Sequence, residues 1–218
     1  MESNQYILDF PVLQSHSMED FVIGGCNREA ADYIQAWPDW PSHALLLVGP
    51  GASGKTHLAN VWQGRAGAVQ IEAGELTREM VPQLGRAVIV ENAERTSDWR
   101  ALLHLYNWVG ANQGYLLMTA AENPAKWDLS LKDLASRLKS TPSVRLTDPD
   151  QDILGAAMMK QFSDRQIMVD EAVVSFLLKR MERSFRSVQV IVSRIDRMAL
   201  EKKTRITIPL AKKVIEQQ

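Results

Sequence analysis

The twelve residues Leu45-Leu46-Leu47-Val48-Gly49-Pro50-Gly51-Ala52-Ser53-Gly54-Lys55-Thr56 constrain this chain more than any other stretch. An apolar run enters a glycine-rich turn, and a helix-compatible segment, Thr56 to Gln63, leaves it. Gly49, Gly54, Lys55 and Thr56 stand at the G-x-x-x-x-G-K-[ST] spacing of a phosphate-binding loop. Glycines let the backbone N–H groups turn inward onto a phosphate, and the following helix adds its positive end. Lys55 is expected to reach the β- and γ-phosphates, and the Thr56 hydroxyl to ligate Mg²⁺.

The rest of the chain is read around that loop. The 218 residues, 45% hydrophobic and 23% charged, suffice for one large domain or a domain with a small appendage. One cysteine, Cys26, excludes an internal disulfide and a cysteine-rich metal site. No apolar run of about eighteen residues suggests a membrane span, and the acidic start lacks a signal peptide's basic region. A cytoplasmic location is the expectation. A formal net charge of −1 does not suit a chain built to coat nucleic acid. Lys and Arg gather toward the C-terminus, from Lys179 to Lys213, as expected of a solvated helical surface.

Further along, Asn27 is placed to cap a helix through Gln35. Strands are expected at Leu45–Val48, Ala68–Ile71, Ala87–Val90, Tyr115–Thr119 and Ser143–Leu146. Helices are expected at Glu75–Leu84, from a Ser97 cap to Ala111, and at Leu129–Leu138. Strands alternating with helices imply a parallel α/β sheet covered on both faces. After Thr147-Asp148-Pro149-Asp150 no buried strand follows, and Asp152–Phe162, Asp170–Arg183, Ser187–Lys202 and Pro209–Gln217 read as helices. This places a boundary near residue 148. The expected division is a tail over 1–14, a nucleotide-binding core over 15–147 and a helical lid over 148–218.

A phosphate-binding loop needs a second carboxylate at the end of a buried strand, and Glu91 has that place. In ATPases with a helical lid the next residue is commonly an acid that activates water. Here it is Asn92, which cannot take up a proton, so weak intrinsic hydrolysis is expected. Glu94 is the candidate to substitute for that acid, although it is displaced from the position by two residues.

With these motifs in place, the chain resembles the AAA+ ATPases, and within them the bacterial initiator DnaA and its shortened relative Hda. The resemblance rests on Asp20-Phe21-Val22 with Asn27, on Gly49 to Leu58, on Glu91-Asn92, and on Leu116–Thr119 followed by Pro124. It extends to Ser136-Arg137-Leu138 and Arg183-Ser184-Phe185-Arg186. It implies a five-stranded parallel AAA+ core with a small all-helical lid. It implies that Val22 and Ile23 line an adenine pocket, with Gly49, Pro50, Gly51, Ala52, Ser53, Gly54, Lys55, Thr56 and His57 around the phosphates. Thr56 and Glu91 would hold Mg²⁺. Arg186 resembles the lid arginine that contacts phosphates, a role that suits an always-charged bidentate donor. Arg137 resembles the arginine finger, which serves a nucleotide bound by a neighbouring protein. The family's polar residue after the fourth strand falls at Ala121, with Thr119 or Asn123 as candidates to compensate. Gln5-x-x-Leu8-x-Phe10 resembles the short motif that docks on the replicative sliding clamp.

The resemblance therefore implies an Hda-like inactivator of DnaA. Such a protein binds ADP or ATP with Mg²⁺, docks on the DNA polymerase III sliding clamp, and stimulates hydrolysis of DnaA-bound ATP through Arg137, so preventing re-initiation. It implies self-association as an AAA+ dimer. No membrane association and no sequence-specific DNA binding are expected. The chief alternative is an active AAA+ ATPase or helicase loader on single-stranded DNA, disfavoured by Asn92, Ala121 and the near-zero charge. A metabolite kinase would need a substrate lid inside the α/β core, which the sequence does not offer.

Overall fold

The computed structural model describes residues 21–216, so the Gln5, Leu8 and Phe10 expectation lies outside the described residues. Five parallel strands form one sheet in the order β2-β3-β4-β1-β5. They are β1 (Ala44–Val48), β2 (Val69–Glu72), β3 (Ala87–Glu91), β4 (Tyr115–Ala120) and β5 (Ser143–Arg145). Helices α1 (Arg28–Ala36), α2 (Lys55–Ala66), α3 (Trp99–Ala111) and α4 (Lys132–Ser140) cover it. Helices α5 (Gln151–Asp164), α6 (Glu171–Leu178), α7 (Phe185–Lys202) and α8 (Ile208–Ile215) follow.

The near-continuous apolar strands are explained by burial on both faces. Side chains alternate across a strand. Ala44, Leu46 and Val48 of β1 meet Leu116 and Met118 of β4 in a core roofed by α3 and α4. The intervening Leu45 and Leu47 enter a second core with Ile34 of α1 and Leu58 and Trp62 of α2. Each such leucine, fully removed from water, contributes about 1.5–3 kcal/mol. A third core, from Leu154 to Val214, is built within α5–α8, where α5 packs on α6 and α7, and α8 on the same pair.

Several sequence expectations are corrected. Residues 75–84 are not a helix but two 3-10 turns, Ala73–Glu75 and Val81–Gln83, with Pro82 in the second. Asp98, not Ser97, caps α3, accepting from the N–H groups of Arg100 and Ala101 at 2.9 and 3.1 Å. Asn27 does precede α1, but its side chain turns backward. Its Oδ1 accepts from Gly24 N–H at 2.8 Å and its Nδ2 donates to the Val22 carbonyl at 3.0 Å. Asp170 likewise precedes α6 without a side-chain cap bond, and α6 stops at Leu178 rather than Arg183. Helix α7 begins two residues earlier than expected, capped by Ser184 Oγ on Ser187 N–H at 3.1 Å. β2 is shifted one residue, to Val69–Glu72.

Candidate nucleotide-binding site

The loop 49–54 links the C-terminal end of β1 to the first turn of α2. Two glycines are sterically required. A Cβ on Gly49 would lie 2.6 Å from the Leu146 carbonyl oxygen, and Gly54 sits at φ +103°, close beneath the Phe21 ring. Ala52 at the exposed loop crest also has a positive φ, +59°. Ser53 is buried, and its Oγ has no hydrogen-bond partner among the described residues. Lys55 folds back on the loop and donates from Nζ to the carbonyls of Gly49 and Pro50, each at 2.7 Å. Gly51 is open to solvent beside them, as is Thr56.

Glu91 ends β3 on the other side of β4 and is 4% exposed. Its Oε2 accepts from the Thr119 hydroxyl at 2.5 Å and, weakly, from Thr56 Oγ1 at 3.5 Å. Its Oε1 accepts from Gln70 Nε2 at 3.3 Å. Burial pushes the Glu91 carboxyl above its ordinary range, and the Glu72 charge adds to this. The Thr119 bond, the Lys55 charge and the Thr56 contact oppose the rise. Burial lowers the Lys55 ammonium, while the charges of Glu91 and Glu94 draw it back up. The two groups are thus a desolvated pair held next to a loop with unused polar capacity.

The chain enters this region through residues 21–24. Phe21 stacks on His57 at 4.9 Å between ring centroids and lies 6.4 Å from Phe185 at the start of α7. Ile23 packs on the core of α1 and α2, whereas Val22 packs on the core of α5–α8. The segment therefore lies between sheet core and helical unit. Arg186 is the exposed second residue of α7, and Phe185 before it approaches Gly54, which brings that helix end to the loop. Phe21 and Phe185 had no binding role assigned from the sequence. Their signal was adjacency to Val22 and Arg186.

Thr119 and Asn123, the candidates to compensate for Ala121, each make contacts within the protein. The Thr119 hydroxyl is taken by Glu91 and also accepts from Asn92 N–H at 3.0 Å. Asn123 Oδ1 accepts from Ala125 N–H at 2.9 Å, within its own 3-10 turn. Ala121 does donate, through its backbone N–H, to Glu94 Oε1 at 3.1 Å. Arg137 lies in the last turn of α4. Its Nε is 3.1 Å from Asp133 Oδ1 and its guanidinium lies 5.9 Å from the Tyr106 ring centroid. Only Nε is hydrogen-bonded among the described residues, and the side chain is 40% exposed.

The described residues form a five-stranded parallel sheet with a phosphate-binding loop and a C-terminal helical unit, the fold class expected from the sequence. Residues 150–215 match the family described as Hda, lid domain. The fold is shared with domain III of the Thermotoga maritima replication initiation protein DnaA. That match has a TM-score of 0.77 at 16% identity over 93% of this chain and 96% of the other. AMPPCP-bound DnaA from Aquifex aeolicus matches with a TM-score of 0.71 at 17% identity over 83% of this chain and 65% of that one. The Thermotoga maritima RuvB Holliday junction branch migration motor matches with a TM-score of 0.74 at 18% identity, over 93% and 72% of the two chains. Among the described residues no helix is long and apolar enough to cross a membrane, and no cluster of His, Cys, Asp and Glu could by itself hold a metal ion.

Proposed function

We propose that this chain is an Hda-type regulator of replication initiation, which holds an adenine nucleotide in its own loop and acts on nucleotide bound by DnaA. The observation that carries the reading is the lid match at residues 150–215, on a fold shared with DnaA. The likeness to an AMPPCP-bound DnaA supports adenine nucleotide as the ligand. The residues present fit such a ligand. A side chain at Gly49 or Gly54 would crowd the loop, and the Ser53 Oγ is shielded, with no hydrogen-bond partner among the described residues. The two carbonyls that now hold Lys55 Nζ are replaceable by phosphate oxygens. Val22, Ile23 and His57 would flank the base, with Arg186 reaching the phosphates from the lid. Thr56 and Glu91 would hold Mg²⁺, which supplies charge neutralisation at the phosphates.

Arg137 acts in trans. Asp133 and the Tyr106 ring engage one edge and one face of its guanidinium, so its terminal nitrogens remain available for a neighbour's γ-phosphate. The lid angle, set by nucleotide bridging loop and Arg186, governs how Arg137 is presented to DnaA–ATP. Gln5, Leu8 and Phe10 bring the complex to the DNA-loaded sliding clamp, and conversion of DnaA to its ADP form blocks re-initiation. The ligand in this chain's own site is ADP in the working state. The test is hydrolysis of DnaA-bound ATP with DNA-loaded clamp and wild type, Arg137→Ala, or Gln5→Ala/Leu8→Ala/Phe10→Ala. Arg137→Ala should lower stimulation by roughly 10³-fold, the usual worth of such an arginine, while clamp retention is unchanged. The triple variant should lose clamp retention. Undiminished stimulation by Arg137→Ala would remove the finger assignment.

A further inference from the structure

Glu94, Trp99, Glu122, Lys126, Trp127 and Asp128 line a cavity of about 450 Å³ that holds no residue of the phosphate-binding loop. It is built where the chain leaves the carboxyl ends of β3 and β4. Asn92, at φ +54°, opens the 3-10 turn Ala93–Arg95, which carries Glu94 to the end of β4. There Glu94 Oε1 accepts from the Ala121 N–H at 3.1 Å. Trp99 is the first residue of α3, whose start the Asp98 cap fixes. Asn123 caps a second 3-10 turn, Pro124–Lys126, and Trp127 closes it. The Trp127 indole N–H donates to the Glu122 carbonyl at 2.9 Å, which pins the ring against its own turn. Trp99 and Trp127 stack with centroids 5.8 Å apart and planes inclined by 25°, and both pack on the core beneath α3 and α4.

The lining sets three carboxylates against one ammonium, and that ammonium is paired, Lys126 Nζ lying 3.8 Å from Glu122 Oε1. The charges of Glu94 and Asp128 are left beside two indoles. The Glu94 bond to Ala121 lies at the solvent boundary, so Oε1 keeps a reachable lone pair. Its Oε2 is shielded, with no partner among the described residues. An indole face is itself negative, so wall and rim both select a cation and repel the phosphates of nucleic acid. A metal ion is a poor fit, for no cluster of ligands among the described residues could hold one. A quaternary ammonium would lie on the rings but has no N–H for Glu94. A guanidinium does both, its plane on an indole and its edge toward the carboxylates. We propose that this cavity docks an arginine side chain presented by a partner protein. The methylenes of that arginine lie along the indoles, and Glu94 and Asp128 receive its N–H groups. The inference goes beyond the nucleotide reading and stands without it.

The test follows the indole N–H signals of the full chain by NMR, those of Trp99 and Trp127 being assigned with Trp99→Phe and Trp127→Phe. The probes are N-acetyl-arginine methylamide, its uncharged citrulline isostere, and tetramethylammonium, each added at low salt. The arginine probe should move the Trp99 and Trp127 signals saturably, with a Kd on the order of a few millimolar for one stacked side chain. The citrulline probe should bind at least roughly tenfold more weakly, and tetramethylammonium at least roughly threefold more weakly. These comparisons use wild type alone and so do not depend on a variant folding. Glu94→Gln, whose amide oxygen still accepts from Ala121 N–H, should weaken the arginine probe at least roughly threefold. Lys126→Ala, which frees Glu122, should tighten it about twofold. No saturable movement at roughly tenfold the expected Kd, or citrulline or tetramethylammonium binding as tightly as arginine, would overturn the proposal. So would an arginine affinity unmoved by Glu94→Gln. Dimerisation that the arginine probe reverses in sedimentation would make the occupant a second copy and overturn the assignment to a separate partner.

Discussion

Thr119→Val should destabilise the protein by far more than the loss of one surface-sized polar group. Thr119 is fully buried in β4, and its hydroxyl does two jobs. It donates to Glu91 Oε2 at 2.5 Å and accepts from Asn92 N–H at 3.0 Å. A hydrogen bond to a charged group is worth about 1.5–3 kcal/mol and a neutral one about 1 kcal/mol. Valine fills nearly the same volume, so packing changes little, and the expected loss is roughly 3 kcal/mol. At about 2–4 °C per kcal/mol for a chain of this size, the nucleotide-free protein should melt about 6–12 °C lower. Thr119→Ser keeps both bonds and removes one methyl, worth about 0.8 kcal/mol, so its melting point should fall only about 2–3 °C. Calorimetric melting of the three proteins at pH 7 separates the cases. A Thr119→Val protein within 2 °C or so of wild type, or one indistinguishable from Thr119→Ser, would refute the view that this hydroxyl braces the two strand ends.

Two further tests address the same region. Gly49→Ala would put a methyl 2.6 Å from the Leu146 carbonyl oxygen and 3.0 Å from Ser53 Oγ, so the loop backbone must move. We expect at least a tenfold loss of affinity for a fluorescent ADP analogue, checked by titration, where a helix-face glycine would show none. Glu91→Gln should stabilise the nucleotide-free protein at neutral pH. Burial raises the folded-state pKa of Glu91 above its ordinary 4.5, so the folded protein binds more protons than the unfolded one between those values. This group's favourable contribution is complete below pH 4.5 and is lost as pH rises through the raised folded pKa. Urea midpoints of wild type and variant should therefore agree near pH 4 and diverge in the variant's favour at pH 7. A constant difference across that range would contradict the assignment.

How much of this was legible in the sequence depends on the kind of physics each element obeys. β1, β3 and β4 were plain, because a strand buried on both faces must be apolar at every position, and Leu45–Val48 and Ala87–Val90 have no other use. The loop was plain because its spacing admits few other structures. Residues 75–84 misled because Leu76, Val81 and Leu84 are buried as a helix would bury them, yet the segment crosses under α3 as separate turns. Helix starts misled by one or two residues, since Ser97 and Asp98 are both good caps and only the geometry of α3 selects between them. Asn27 has a capping residue's chemistry but spends it on Val22 and Gly24, which fixes the segment between the two cores.

The carboxylates were less legible, for a reason that turns on one backbone angle. Counting along the sequence from Glu91 assigns the next residue to the phosphate side and places Glu94 two positions too late. That count assumes an extended or right-handed path. A left-handed Asn92 inverts it, sending residue 92 toward β2 and residue 94 toward β4. Asparagine is among the few residues other than glycine that adopt such a φ at small cost, so an amide at this position is as much a conformational choice as a lost base. The residue that looks like a deletion of function is then the one that brings Glu94 to the end of β4. The same inversion changes the meaning of Ala121. Its missing side chain removes a donor, but its backbone N–H holds the Glu94 carboxylate by one oxygen, and the other is shielded, with no partner among the described residues.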